Sequence, residues 1–211
     1  VIRQLQGTGI PLLGDVIIAG VVDEEHAMTG SKAFGLYGPQ VDYAIVAEPT
    51  LLQISTAHKG QILTTITTKG LAAHSSLPEQ GRNAVYHMSA VLGSLQDYAG
   101  ELSLRKADPA CGKPSFSVGV IRGGDNACSV PDLCQIDIDR RTIPGETSAD
   151  ILHELHNVLA RAKATVPELD FEIGTPFLDL PPLDTSADAL VTKAMIDACE
   201  AISGQVSVTA F

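Results

Sequence analysis

The sequence predicts an α/β protein in two parts: a partial doubly wound domain built on a parallel sheet, and an α+β domain inserted into it. Three observations carry this expectation. Val16-Ile17-Ile18-Ala19-Gly20-Val21-Val22 is a near-continuous apolar run rich in Val and Ile, the pattern of a strand buried on both faces. Asp42-Tyr43-Ala44-Ile45-Val46-Ala47 repeats it after a stretch, Gly30–Tyr37, long enough for a short helix, which predicts a βαβ unit. From about residue 60 to 174 the pattern changes to two-residue alternation interrupted by helical spacing, in the order β-α-β-β-α-β. The inserted domain is therefore expected to be a four-stranded antiparallel sheet with two helices.

The elements follow in order. Residues 1 to 6 read as the end of a helix closed by Gly7-Thr8-Gly9 and Pro11. After the βαβ unit, Ile54–Thr56 and Gln61–Thr68 are β-branched, with Ile62, Thr64 and Ile66 alternating against Leu63, Thr65 and Thr67. Val85, Met88, Val91, Leu92 and Leu95 recur at helical spacing over 83–98. Phe116, Val118 and Val120 predict a strand with one buried face over 115–120, and Ile136 and Ile138 alternate with Asp137 and Asp139 in the same way. Thr147-Ser148 caps a helix carrying Ile151, Leu155, Val158, Leu159 and Ala162. A short strand near 169–173 precedes a proline-containing linker over 175–184, and a last helix is expected from about 186 to 202. The domain expectation is 1–59 and 175–211 for the flanking domain, and 60–174 for the insert.

A chain of 211 residues, 45% apolar, can bury a sizeable core. Its formal net charge of -11 argues against nucleic acid as a partner, because phosphate recognition needs a basic face. No apolar segment approaches the roughly 20 residues needed to cross a membrane. Cys111, Cys128, Cys134 and Cys199 form no CxxC pair, so a thiolate zinc site is not expected and free thiols in a reducing cytoplasm are.

Chemistry is expected at three places. The first apolar run ends in Asp23-Glu24-Glu25 and the second in Glu48, followed by Pro49. Working residues of open α/β sheets collect beyond the carboxyl ends of the strands. Adjacent carboxylates there are costly unless a cation neutralises them, so the pair of clusters points to a metal site with a carboxylate base beside it. Glu48 taken alone reads as an ordinary solvated acid, whereas the paired pattern does not. The second place is the turn-rich loop from Gly70 to Ala84, where His74 either hydrogen-bonds a substrate oxygen, binds a metal, or caps the next helix. The third comprises Asn126, after Gly123-Gly124, and Arg141 at a strand end. Arg141 either grips a substrate carboxylate or pairs with Asp137 or Asp139.

Taken together, these segments resemble the cocatalytic-metal amidohydrolases and exopeptidases, the family of acetylornithine deacetylase, succinyl-diaminopimelate desuccinylase, aminoacylase and glutamate carboxypeptidase. The resemblance rests on Val22-Asp23-Glu24-Glu25 with Gly30, Ala47-Glu48-Pro49-Thr50, His58-Lys59-Gly60, Gly70 to His74, and Pro78-Glu79-x-Gly81-x-Asn83-Ala84. It extends through Gly123-Gly124-x-Asn126 with Pro131, and Arg141-x-x-Pro144-Gly145.

The resemblance implies metal-dependent hydrolysis of an amide bond in an N-acylated amino acid or small peptide, with Glu24 as general base to water held by two divalent ions, zinc, cobalt or manganese. It makes Glu25 and Glu48 metal ligands, Asn126 and Arg141 substrate-binding residues, and residues 60–174 a lid and dimerisation domain. In the homodimer so implied, His74 would reach into the partner's site to stabilise an oxyanion, and Lys59-Gly60 would mark the hinge. The family's His-x-Asp motif and bridging Asp lie upstream of this sequence and a final His ligand lies downstream, while His26, His58, His87, His153 and His156 occupy none of those places. With two ligands present, the chain is expected to be an internal fragment, its metal site incomplete or empty, inactive alone. A carbamoyl-amide hydrolase and a non-catalytic dimerisation scaffold are the alternatives.

Overall fold

Ile62, Thr64, Ile66 and Thr68 alternate inward along one strand, and around that strand the central sheet is built. The computed structural model describes residues 2–25, 27–51 and 53–210, without the side chains of residues 2, 5 and 6. It divides into two units, Val1–Asp42 and Tyr43–Phe211.

The first unit contains α1 (Ile2–Gly7) and α2 (Thr29–Tyr37). The expected strand over Val16–Val22 does not form: the run has no ladder partner among the described residues, and Val22 is 69% exposed. A strand buried on both faces needs neighbours in the ladder and helices above and below. Here α2 buries none of its own residues. The same correction applies at the start of the second unit, where 43–47 has no ladder partner among the described residues and Val46 is exposed.

The second unit holds the rest: β1 (Ile54–His58), β2 (Gly60–Lys69), β3 (Ala73–His74), α3 (Ala84–Leu104), β4 (Ser115–Gly123), β5 (Ser129–Val130) and β6 (Leu133–Thr142). These are followed by α4 (Ser148–Thr165), β7 (Asp170–Ile173), β8 (Leu178–Leu180), β9 (Leu183–Asp184), α5 (Leu190–Ser203) and β10 (Val208–Ala210). The main sheet runs β4-β6-β2-β7, antiparallel throughout, with β2 and β6 paired from Gly60↔Thr142 to Lys69↔Leu133. β8 pairs with β2 at Gln61–Leu63 and β7 at Ile66–Lys69. The segment expected as a linker thus contributes two strands, because Leu178 is buried and Pro181-Pro182 breaks the chain between them. A second sheet, β10-β1-β9, joins residues from both sides of the insert, and its β1–β10 pair is parallel.

Both long helices cover one face of the main sheet. Met88, Val91, Leu95 and Leu102 of α3 and Ile151, Leu155 and Leu159 of α4 pack on Ile62, Ile66, Ile136 and Ile138. Asn83 caps α3 by accepting from the amides of Val85 and Tyr86, and Thr147 caps α4 through Asp150. The opposite face is polar. Thr65 donates to Asp137 at 2.7 Å and Gln61 to Asp139 at 3.1 Å, cross-strand pairs that knit β2 to β6. The Thr65 hydroxyl, then Arg122, holds the Asp137 carboxyl below its ordinary range. In β4 a bulge at Gly119 shifts the register, pairing Val120 with Asp137 and Ile121 with Ile136. The expected alternation through Val120 holds: Phe116, Val118 and Val120 are half-buried between exposed neighbours.

One buried residue breaks the apolar pattern. Arg140 is fully buried, in phase with Ile136 and Ile138, and its guanidinium donates to the Tyr98 hydroxyl at 3.1 Å, to Glu146 at 2.7 Å and to the Arg141 carbonyl. Tyr98 donates to Glu154 at 2.7 Å, and Arg105 bridges Glu146 and Glu154. Burial pushes the Tyr98 hydroxyl up from 10.0 to about 12. A raised folded value means that the unfolded chain loses its proton first. This group's contribution is therefore whole below pH 10 and is lost as pH rises through about 12. Urea unfolding of the wild type and Tyr98→Phe across that window is expected to show a steeper fall for the wild type, by about 2 kcal/mol. Parallel curves would refute it.

Candidate functional site

Asp23-Glu24-Glu25 sits in a turn that leads into α2. Asp23 adopts a left-handed backbone, φ 64°, and its carboxylate accepts from the amide and hydroxyl of Thr29 at 3.3 and 2.8 Å. The turn is drawn tightly against the helix start: a side chain on Gly30 would meet the Val22 amide nitrogen at 2.4 Å. Asp23 is thereby occupied in shaping the turn, which leaves Glu24 and Glu25 exposed and without a hydrogen-bond or ion-pair partner among the described residues. Glu48 is also exposed, and its carbonyl accepts from Thr50. His26 lies outside the described residues.

Among the described residues, no three His, Cys, Asp or Glu side chains gather closely enough to hold a metal ion. Glu25 and Glu48 fall in different units. The donors described do not by themselves form a metal cradle, so no chemical step is derived through one.

His74 is better defined. Its loop is pinned at both ends: Gly70 donates to the Asp132 carbonyl at 2.7 Å, and Leu71 and Arg82 exchange backbone hydrogen bonds. The strands cross so closely that a Cβ on Gly70 would lie 2.0 Å from the Arg82 carbonyl oxygen. In between, β3 pairs with β5, setting His74 opposite Ser129, and Ser75 donates to the Cys128 carbonyl. A turn closes by Leu77 donating to the His74 carbonyl at 2.9 Å. The imidazole is exposed, with Nδ1 3.1 Å from the Ser76 amide and 2.8 Å from its hydroxyl.

Asn126 belongs to the same corner. Its side-chain oxygen accepts from the Cys128 amide at 2.9 Å and the Ser129 hydroxyl at 3.3 Å, and Ser129 is the partner of His74. The structure therefore brings His74 and Asn126 together through β5. Its amide nitrogen has no partner among the described residues and remains a donor facing solvent.

Arg141 stands elsewhere. It is half-exposed at the far end of β6, paired with Asp139 at 3.1 Å, while Asp137 pairs with Arg122. From Leu133, beside the His74 loop, to Arg141 is about 26 Å at roughly 3.3 Å per residue. Arg141 and His74 of one chain cannot grip the same small molecule. Near Arg141, Lys59 donates to the Lys113 carbonyl at 2.6 Å, tying the β1–β2 connection to the insert.

Of the other described histidines, His153 and His156 are exposed on α4, His58 ends β1, and His87 is buried in α3 with its Nδ1 unpartnered among the described residues. Sequence reasoning passed over Ser76 and Arg140. A serine two residues after a histidine in a turn is a spacing at which side chain and backbone meet, and the inward phase of 134, 136 and 138 pointed to residue 140. His74 and Asn126 thus share the β3–β5 corner, and Arg141 lies on the main sheet, paired with Asp139.

The peptidase dimerisation domain matches residues 56–167. Acetylornithine deacetylase of Proteus mirabilis is 37% identical over 153 residues, 71% of this chain and 40% of the relative. The enzyme of the same name from Aliivibrio fischeri is 29% identical over 187 residues, 86% of this chain and 49% of its own length. The chain thus spans about half the length of the curated relatives it matches, or less. Among solved structures, an aminopeptidase of Bacillus cereus superposes with TM-score 0.68 at 20% identity, covering 100% of this chain and 54% of its own. An M20 family metallo-carboxypeptidase from Sulfolobus solfataricus gives 0.56 at 18%, covering 74% and 52%. At these identities the likeness is one of fold.

Proposed function

The chain belongs to the peptidase dimerisation domain family of the M20 metallopeptidases and deacetylases, and from that premise we propose that it is part of an amide hydrolase acting on N-acetylated amino acids. In this reading residues 60–174 are the lid and dimerisation domain, and 1–59 and 175–211 are two parts of the catalytic domain. Glu24 would be the general base, and Glu25 and Glu48 would supply two of the ligands to divalent ions. Such ions, zinc, cobalt or manganese, would supply Lewis acidity at the scissile carbonyl. The chain's own residues do the rest: Glu24 takes a proton from water, His74 donates to the oxygen that gains charge, and Asn126 and Arg141 orient the substrate.

The observation that carries this reading is the His74–Asn126 corner, two exposed polar side chains on loops joined through the β3–β5 pairing. Glu24 and Glu25, exposed and without a partner among the described residues, support the base and ligand roles. A cytoplasmic location accords with four free cysteines. The test is hydrolysis of N-acetylornithine against N-carbamoyl amino acids, by the complete enzyme and by residues 1–211 alone. Turnover of the acetyl substrate by the former only is expected. Preference for the carbamoyl substrate, or no turnover of either, would displace this reading.

Homodimerisation is the second part of the proposal. Its support is the distance from His74 to Arg141, which lets both serve one substrate only if two chains contribute. β4 is moreover an unpaired edge among the described residues, with Ile121 56% exposed on it. The Ile121→Lys variant is expected to sediment as a monomer where the wild type sediments as a dimer. A monomeric wild type would remove this part of the proposal.

A further inference from the structure

We propose that Ser76 is a positioning residue for His74, holding the imidazole in the Nε2–H tautomer so that a hydrogen-bond donor, not a lone pair, faces outward. A backbone amide can only donate. The Ser76 amide lies 3.1 Å from Nδ1 and is directed at it, so that nitrogen carries the lone pair. The Ser76 hydroxyl, 2.8 Å from the same atom, must then donate as well, since Nδ1 has no hydrogen to give it. A neutral imidazole has one ring proton, and with Nδ1 occupied as acceptor it resides on Nε2. Nε2 has no partner among the described residues, and the side chain is exposed. The ring is anchored along one edge and open along the other.

Two other histidines show that this is a local choice and no general habit of the chain. Nδ1 of His58 lies 3.0 Å from the Lys59 carbonyl, and Nδ1 of His156 2.9 Å from the Leu152 carbonyl. A carbonyl only accepts, so in both of these Nδ1 is protonated and the outer nitrogen is a lone pair. His74 alone of the three is met by donors. The backbone around it adds the second constraint: the turn from His74 to Leu77 and the pairing of His74 with Ser129 fix where the ring begins. Ser76 then fixes how it is turned and which nitrogen holds the proton.

The consequence for chemistry rests on the function proposed above. An Nε2–H directed at a substrate carbonyl oxygen stabilises the charge that develops there, whereas the other tautomer would set a lone pair against it. Removing the Ser76 hydroxyl leaves one of two donors and weakens the preference without emptying the loop of structure, since Ser76 is exposed.

The test is the tautomer itself, read from long-range 1H–15N correlation spectra of the 15N-labelled 211-residue chain at about pH 8, above the ordinary histidine range. His74 is expected to show a pyridine-type Nδ1 and a pyrrole-type Nε2, with His58 and His156 reversed as internal references. In Ser76→Ala the ratio of Nε2–H to Nδ1–H is expected to fall about fivefold, the effect of one ordinary hydrogen bond, and Ser76→Thr should restore it. A pyrrole-type Nδ1 at His74, or an unchanged ratio in Ser76→Ala, would overturn the proposal. In the complete enzyme Ser76→Ala should lower kcat with KM little changed, again restored by Thr. If His74→Ala kept full turnover while the tautomer result held, the catalytic role of His74 would fall and the positioning by Ser76 would stand.

Discussion

Arg140→Met is expected to lower the unfolding free energy by about 3 kcal/mol, a large share of the roughly 5–15 kcal/mol that holds a domain together. Methionine fills much of the same space, so the loss is one of pairing. Glu146 accepts from Arg140 at 2.7 Å and from Arg105 at 3.1 Å, and its side chain is only 15% exposed. Without Arg140 it keeps the weaker and more exposed partner. The Tyr98 hydroxyl and the Arg141 carbonyl lose a donor at the same time. Breaking a buried pair from one side costs more than replacing both sides, because it strands the other charge. Arg140→Met with Glu146→Gln should therefore recover part of the loss. Urea unfolding decides it: a change below about 1 kcal/mol in the single variant would mean that the network carries little stability.

Glu24→Gln is expected to reduce kcat of the complete enzyme by about 10²–10⁴-fold, the range general base catalysis supplies, with KM and bound metal little changed. Gln keeps the shape and the hydrogen-bonding reach of Glu but cannot take a proton. Because Glu24 is exposed and unpaired among the described residues, stability should move by no more than about 0.5 kcal/mol, which separates chemistry from folding. Turnover within tenfold of the wild type would remove Glu24 from the role of base. Loss of metal instead would move it to the role assigned to Glu25.

The insert was legible because its local signals agree with its tertiary context. Alternation in 61–68 and 136–139, helical spacing in 85–95 and 151–162, and the cap at Thr147 all recur in β2, β6, α3 and α4. Each of these elements has one face to bury and a neighbour that covers it. Val16–Val22 carried an equally strong signal and did not become a strand. An apolar run records that a surface wants covering, and only neighbouring strands and helices can cover it; α2, with no buried residue, does not. The Gly119 bulge was illegible for a related reason, since a register shift is set by the partner strand and not by the residues in the shift.

The site divides in the same way. From the residues alone came the identities: the carboxylates at 24, 25 and 48, His74, Asn126 and Arg141, each a side chain whose chemistry is intrinsic to its type. Only the tertiary structure decided which of them stand together. It set His74 beside Asn126 through β5, put Arg141 at the other end of the strand with Asp139, and gave Asp23 to Thr29. Proximity depends on which strands pair and in what register, and those are choices made between distant segments. The proton on His74 belongs to the same class: a sequence names the imidazole, but the donors that meet it choose the tautomer.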